Sequence, residues 1–441
     1  MKKVIFVALI TVCSVCILGQ SPGIEISDYG VAIKPDKRLI TILTSLEAAN
    51  VDTTLTASGE QFRSKVRKDL QGLSPELRNR IRLFVNGFQK RHPNYSSAEA
   101  VAPFISLAYS LSSTPELKAP ERSLDLPDDL LEVLDFSVLV QEFYKSPGIA
   151  AKIDGYYKEH EKTAKELNSS TVEMVRDVLG YLHTKPELTY IERIPVEPSE
   201  KQKKKNVRQY EIRENERNFT VVPAILASKG TVNFLNIGDK YFAVVPPETN
   251  MSASEVRRGF IQFVIDPLVL RNARSISPHR DEIKKLLNER RKTGTLVSPD
   301  VFLAVSRSLV AAVDAREEEY RKTRIATAQA RRKINSLSDK IEQKKVADEL
   351  ARFKRALADD AALELSESYE KGAVLSFYFA EKLRGLEDSG FDIGNFLKDW
   401  IVSFNPRKEK DRLDQFAEAR KRALDKRTAG IISDTPLLTN P

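Results

Sequence analysis

The stretch from Ser252 to Leu270, SASEVRRGFIQFVIDPLVL, constrains this chain more than any other. Ser252 followed three residues later by Glu255 has the spacing of a capping box, and Val256, Phe260, Phe263 and Val264 recur on one helical face. The pattern predicts a helix that opens at Ser252 and is ended by Asp266-Pro267, because proline lacks the amide that a helix interior uses. An apolar face of this kind is most often buried in an ordinary core.

The polar residues of the same helix are more specific. In zincin metallopeptidases two His at i and i+4 hold zinc on one helical face, and the Glu after the first His is the general base. Aligned on the apolar frame, those three places carry Arg258, Gly259 and Gln262. A guanidinium is a permanent cation, glycine has no side chain, and a Gln amide is a poor zinc ligand, so the chemistry is missing. Further along, SYEKGAVLSFYFA (368–380) resembles the later helix on which some gluzincins carry a Glu ligand with Gly two residues on, with Glu370 and Gly372 at the matching places. Upstream, Thr231 to Ile237 and Lys240 to Val245 alternate around Gly238-Asp239, which predicts a hairpin whose edge strand precedes the helix.

Residues from about 25 to 405 thereby resemble an uncharacterised family of secreted bacterial gluzincin-like proteins, in a degenerate form without the His-Glu-x-x-His residues. Ile33 to Ser45, read as strand-like, and Phe84 to Pro93 are similar to the family's N-terminal part. The resemblance implies an α+β, predominantly helical fold: a zincin-like domain with a small, mostly antiparallel sheet and long helices, plus a helical N-terminal lobe. It also implies a pseudoenzyme with no catalytic residue, no metal and no cofactor. Arg258 is expected to point at Glu370, a guanidinium standing where a metal would keep the carboxylate paired.

Lys2 and Lys3 precede an apolar run from Val4 to Leu18 and a polar exit at Gly19-Gln20-Ser21, the layout of a signal peptide over residues 1–20. The expected destination is periplasmic or extracellular. Cys13 and Cys16 both lie inside this segment, and Val12 and Val15 stand where lipidation would need a small residue, so neither a disulfide nor a lipid anchor is expected. No later segment is long and apolar enough for a membrane span.

Without Lys2 and Lys3 the formal charge of +8 becomes +6. Lys and Arg are mixed with Asp and Glu along the chain, so no nucleic-acid partner is expected. Residues 21–185 read as a mainly helical region, with helices over Lys65–Phe88, Ala98–Leu111, Leu130–Tyr144 and Ile149–Leu182 and an exposed connection at Ser112–Pro127. Residues 186–405 form the zincin-like region with long charged helices, and 406–441 a charged, partly disordered tail. The basic run Lys201 to Lys205 reads as a solvated loop, with attachment to an acidic surface as its rival role. From Arg316 to Arg355 the apolar positions are sparse, which favours one or two long helices packed by a thin stripe over an oligomerising coiled coil.

His92, His160, His183 and His279 are scattered, so each is expected at the surface or at a cap rather than in a metal site. Neither a phosphate-binding glycine loop nor a nucleophile elbow occurs. The preferred function is an exported, catalytically inactive metallopeptidase-like protein that binds a peptide or an envelope protein. The alternatives are an active hydrolase in which Glu370 acquires new partners such as Glu173 or Asp177, or a helical scaffold of the envelope.

Overall fold

Two apolar cores organise the chain, and one long helix and one sheet contribute to both. The computed structural model describes residues 26–123, 126–196, 209–252, 255–294 and 297–429. The expected signal segment, the lysine run at 201–205 and residues 430–441 of the tail lie outside these.

The first core belongs to the N-terminal lobe: α1 (Lys37–Glu47), α2 (Ala57–Asp69), α3 (Pro75–Arg91), α4 (Ser97–Ser110), α5 (Asp128–Val133), α6 (Phe136–Lys145) and the start of α7 (Ile149–Leu182). Local chemistry sets the starts. Asp36 accepts from the Arg38 amide and Thr56 from the Gly59 amide, Pro75 occupies the first position of α3, and Ser96 with Glu99 forms a capping box. The segment Ile33–Ser45, read as strand-like, is instead the end of β1 (Val31–Ile33) followed by α1, whose residues Leu39 to Glu47 are all buried.

Four strands form the central sheet in the order β1-β4-β6-β5, where β4 is Asn218–Pro223, β5 Asn233–Ile237 and β6 Lys240–Val245. Here the expectation of a mostly antiparallel sheet is corrected. β1–β4 and β4–β6 are parallel, and only the β5–β6 hairpin is antiparallel. The hairpin itself is the expected one: Ile237 pairs with Lys240 across Gly238-Asp239, and Gly238 takes the positive φ that the tight turn requires. A separate antiparallel ribbon pairs β2 (Thr189–Val196) with β3 (Gln209–Glu216).

The parallel strands read FTVV and YFAVV, near-continuous apolar runs, because both faces of the sheet are covered. Phe219, Val221, Tyr241, Ala243 and Val245 face the second core, while Val222 and Val244 face the N-terminal lobe. The second core adds α8 (Glu255–Arg271), α9 (Ala273–Ile276), α10 (Arg280–Lys292), α11 (Val301–Ser336), α12 (Lys340–Glu370), α13 (Ser376–Arg384) and α14 (Leu397–Val402). The short α15 (Pro406–Glu409) and α16 (Arg412–Gln415), and then α17 (Ala417–Thr428), follow. The cores do not divide at 185: Leu167 to Leu182 of α7 already belong to the second, and β1 near the N-terminus completes the central sheet. Among the described residues no helix is long and apolar enough to cross a membrane.

His160 corrects the expectation of surface histidines. It is buried on α7, its Nδ1 2.8 Å from the Tyr156 carbonyl and its Nε2 accepting from the Ile225 amide at 3.2 Å, so it ties the long helix to the loop after β4. Burial pushes its pKa down to about 4, which keeps the ring neutral.

Candidate functional site: the cleft beside α8

The apolar frame of α8 is buried as its spacing requires: Val256, Phe260, Phe263 and Val264 all lie in the second core. The expected stop at Asp266-Pro267 is not observed, and the helix runs on to Arg271 with Pro267 inside it. Pro267 cannot bond the carbonyl four residues back, that of Phe263, and the Arg217 guanidinium donates to that oxygen at 3.0 Å instead. Leu268 and Val269 then gain burial by extending the helix. The expected capping box adjoins positions 253 and 254, which lie outside the described residues; the helix is described from Glu255.

Gly259 lies against β5. A Cβ there would come within 2.7 Å of two ring atoms of Phe234, so the helix and the edge strand approach as closely as they do only because the side chain is absent. Any larger residue, Glu included, would displace that ring.

Arg258 does not meet Glu370. Its guanidinium pairs with Asp314 of α11 at 3.0 Å, and Glu370 pairs with Arg420 of α17 at 2.7 Å. The reason is architectural: α11 packs against both α8 and α12 and stands between them. Gly372 likewise serves a local purpose. It takes a φ of +101° just after α12, where a Cβ would lie 2.7 Å from Val297. Gln262 donates to Asp266 at 3.3 Å, and Asp266 also accepts from Tyr241 and Ser306. Asp177, a suggested partner for Glu370, lies in a different groove with Glu317 and Tyr320.

The charged centre of this region was not anticipated. Arg257, buried, donates to Asp314 at 2.7 Å, to Glu317 at 3.3 Å and to Glu318 at 2.7 Å. Burial acts to lower the guanidinium's pKa, but the three carboxylates outweigh it and raise it. Burial likewise acts upward on Glu318, yet Arg257 and Lys322 hold its carboxyl down at about 2. A readable trace existed: Asp314, Glu317 and Glu318 continue at i, i+3 and i+4 the apolar stripe of α11, and acids on a core face demand a buried cation.

Glu364 of α12 faces the same cluster and has no such cation close at hand. Burial first, then Asp314 and Glu318, push its carboxyl up to about 7, against the opposing pull of Arg257 and Arg258. The folded state therefore binds this proton more tightly than the unfolded chain does, whose carboxyl ionises near pH 4.5. The resulting stabilisation is fully present below pH 4.5 and is lost as pH rises through 7. Glu364→Gln should raise stability at pH 8 by about 1–3 kcal/mol and change it little at pH 4. Urea midpoints of both proteins at the two pH values check this, and an equal effect at both would refute it.

Between α8, α11 and the end of α12 opens a cleft of about 440 Å³, lined by Arg258 and Gln262 on one wall, Arg307 on the floor, and Ser368 and Lys371 on the other wall. The structure thus brings Arg258 and Gln262 together at one opening and leaves Glu370 outside it. Arg307 and Lys371 are exposed, and no carboxylate lines the cleft. A larger groove of about 830 Å³ between the N-terminal lobe and the start of β5 has the opposite character, with Glu99, Glu248 and Glu255 against Lys229. Among the described residues no group of three or more His, Cys, Asp or Glu side chains is arranged to hold a metal ion. The chemistry available at the cleft is that of cations and amides, which bind and orient an anion. Compared with known proteins, the chain matches no family model, no curated protein and no solved structure.

Proposed function

We propose that this chain is an exported, non-catalytic protein, a degenerate relative of metallopeptidases, that binds an acidic peptide segment of an envelope or secreted partner in the cleft beside α8. The observation that carries the reading is the lining of that cleft: Arg258, Arg307 and Lys371 with Gln262 and Ser368, and no carboxylate. Arg258, at the place of a zincin's first His, is anchored by Asp314, so the pair holds one wall of the cleft rigid. Arg307 and Lys371 remain for the ligand.

The peptide character of the ligand rests on the resemblance of α8 to a metallopeptidase zinc helix, beside which an extended chain would lie. β5, an edge strand packed on α8 at Gly259, lines the larger groove and not this cleft. Charge-assisted hydrogen bonds from two exposed cations are worth about 1.5–3 kcal/mol each when a carboxylate is desolvated between them.

The test is a binding series by fluorescence anisotropy with labelled peptides of matched length, acidic against basic. Acidic peptides are expected to bind, and Arg307→Ala with Lys371→Ala to weaken them by at least about tenfold without changing the melting temperature, since both side chains are exposed. Equal affinity for basic peptides would overturn the choice of ligand, and peptide cleavage by the unmodified protein would overturn the non-catalytic reading.

A further inference from the structure

The chain's net charge is concentrated in one place. Residues 321–355, the distal parts of α11 and α12 with the link between them, carry twelve Lys and Arg against four Asp and Glu, a net +8 that equals the formal charge of the whole chain. Everything else sums to zero.

These residues form an antiparallel two-helix arm. Buried contacts along its seam are few, Ala326, Ala330 and Val346, and between Arg331 and Lys345 only Ile334, Leu337 and Gln343 are even half-buried. Asp339 starts the returning helix by accepting from the Ile341 amide at 2.8 Å, and Gln343 closes the turn on the Leu337 carbonyl at 2.7 Å. From Glu318 to Ser336 the outgoing helix alone rises about 28 Å. Its end is chemically distinct: Ile334, Leu337 and the exposed Ile341 are surrounded by Arg331, Arg332, Lys333, Lys340, Lys344 and Lys345. Only Asp339 and Glu342 oppose those six cations in this stretch, and Asp339 is engaged as the cap.

We infer that the tip of the α11–α12 arm docks the protein onto an anionic lipid surface, the cations meeting phosphate and carboxylate headgroups and Ile341 entering the interfacial layer. Clustered cations next to a small apolar group suit a bilayer surface, where each cation adds attraction and the apolar side chain adds burial. Nucleic acid fits less well, because the stretch from Arg331 to Lys345 has no aromatic residue on which a base could stack. The arm lies away from the cleft of the proposed function, so the two sites can be occupied independently.

Sedimentation with vesicles tests this on the full chain, comparing neutral phosphatidylcholine with the same lipid containing phosphatidylserine. The readout is the ratio between the two partition constants, which removes any apolar contribution of the N-terminal segment. The ratio should favour the anionic vesicles and fall steeply as salt is raised. Each neutralised cation should weaken binding about fivefold, so Lys340→Gln, Lys344→Gln and Lys345→Gln together should lower the ratio about a hundredfold. Ile341→Ser should lower affinity for the anionic vesicles while leaving the salt dependence in place. All four side chains are exposed, and circular dichroism of the variants verifies that the arm is still helical. Lys158→Gln, Lys162→Gln and Lys165→Gln on α7 form the control and should leave the ratio unchanged. A ratio near one for the unmodified protein, an equal loss in the α7 control, or tight binding to DNA with no preference for anionic vesicles would each overturn the inference.

Discussion

Replacing Arg257 by Met should cost about 3–5 kcal/mol of stability, while the same change at its neighbour Arg258 should cost under about 1 kcal/mol. The two arginines are adjacent in sequence and differ in surroundings. Arg257 has a side-chain exposure of 6% and is the shared partner of Asp314, Glu317 and Glu318, whereas the Arg258 side chain is 44% exposed. Removing Arg257 takes the central buried cation from three carboxylates in a place water reaches poorly, and leaves each only one more exposed partner, Arg258, Arg321 or Lys322. Breaking a buried cluster from one side is far more damaging than never having had it. The carboxylates would respond by taking up protons, so the loss should be larger at pH 8 than at pH 5. Urea unfolding followed by circular dichroism measures all four quantities. Equal costs for the two arginines would show that the α8–α11 charge cluster is not what holds these helices together.

That contrast also shows what could be read from the sequence and what could not. The apolar frame of α8, the Gly238-Asp239 hairpin and the span of α7 were legible because periodicity and turn chemistry are local. Which polar residue of α8 matters was not, since Arg257 and Arg258 lie about 100° apart on the helix and only the position of α11 decides which one is inside. The Arg258–Glu370 pairing failed for the same reason: two helices were matched as neighbours, and a third runs between them. The parallel order of the sheet was hidden because β1 is separated from its partner β4 by the whole N-terminal lobe. The burial of His160 was hidden because its hydrogen-bond partners are two backbone groups, which leave no mark on composition. The net charge was read as spread along the chain, although its excess lies in 321–355, because mixed signs on either side mask a local surplus.

The stop expected at Pro267 failed for a reason that can itself be tested. A proline inside a helix costs about 3 kcal/mol when the carbonyl four residues earlier is left without a donor. Here Arg217 supplies the donor, with Nη2 3.0 Å from the Phe263 oxygen and Nη1 2.7 Å from the Glu187 oxygen. Its plane also lies over the Phe263 ring at 4.8 Å, so the cation stacks on the residue whose backbone it serves. Arg217→Met should therefore cost about 3 kcal/mol, because two carbonyls lose a charged donor and one of them has no helical amide to turn to. Pro267→Ala alone should be close to neutral, since the Phe263 oxygen has two lone pairs and can accept from the new backbone amide and from Arg217 together. In the double variant that amide should recover part of the loss, giving a coupling of about 1 kcal/mol or more between positions 217 and 267. Strict additivity in that cycle would mean that Arg217 stabilises the protein through Glu187, Asp239 and the aromatic stack, and that α8 tolerates its proline by some other route.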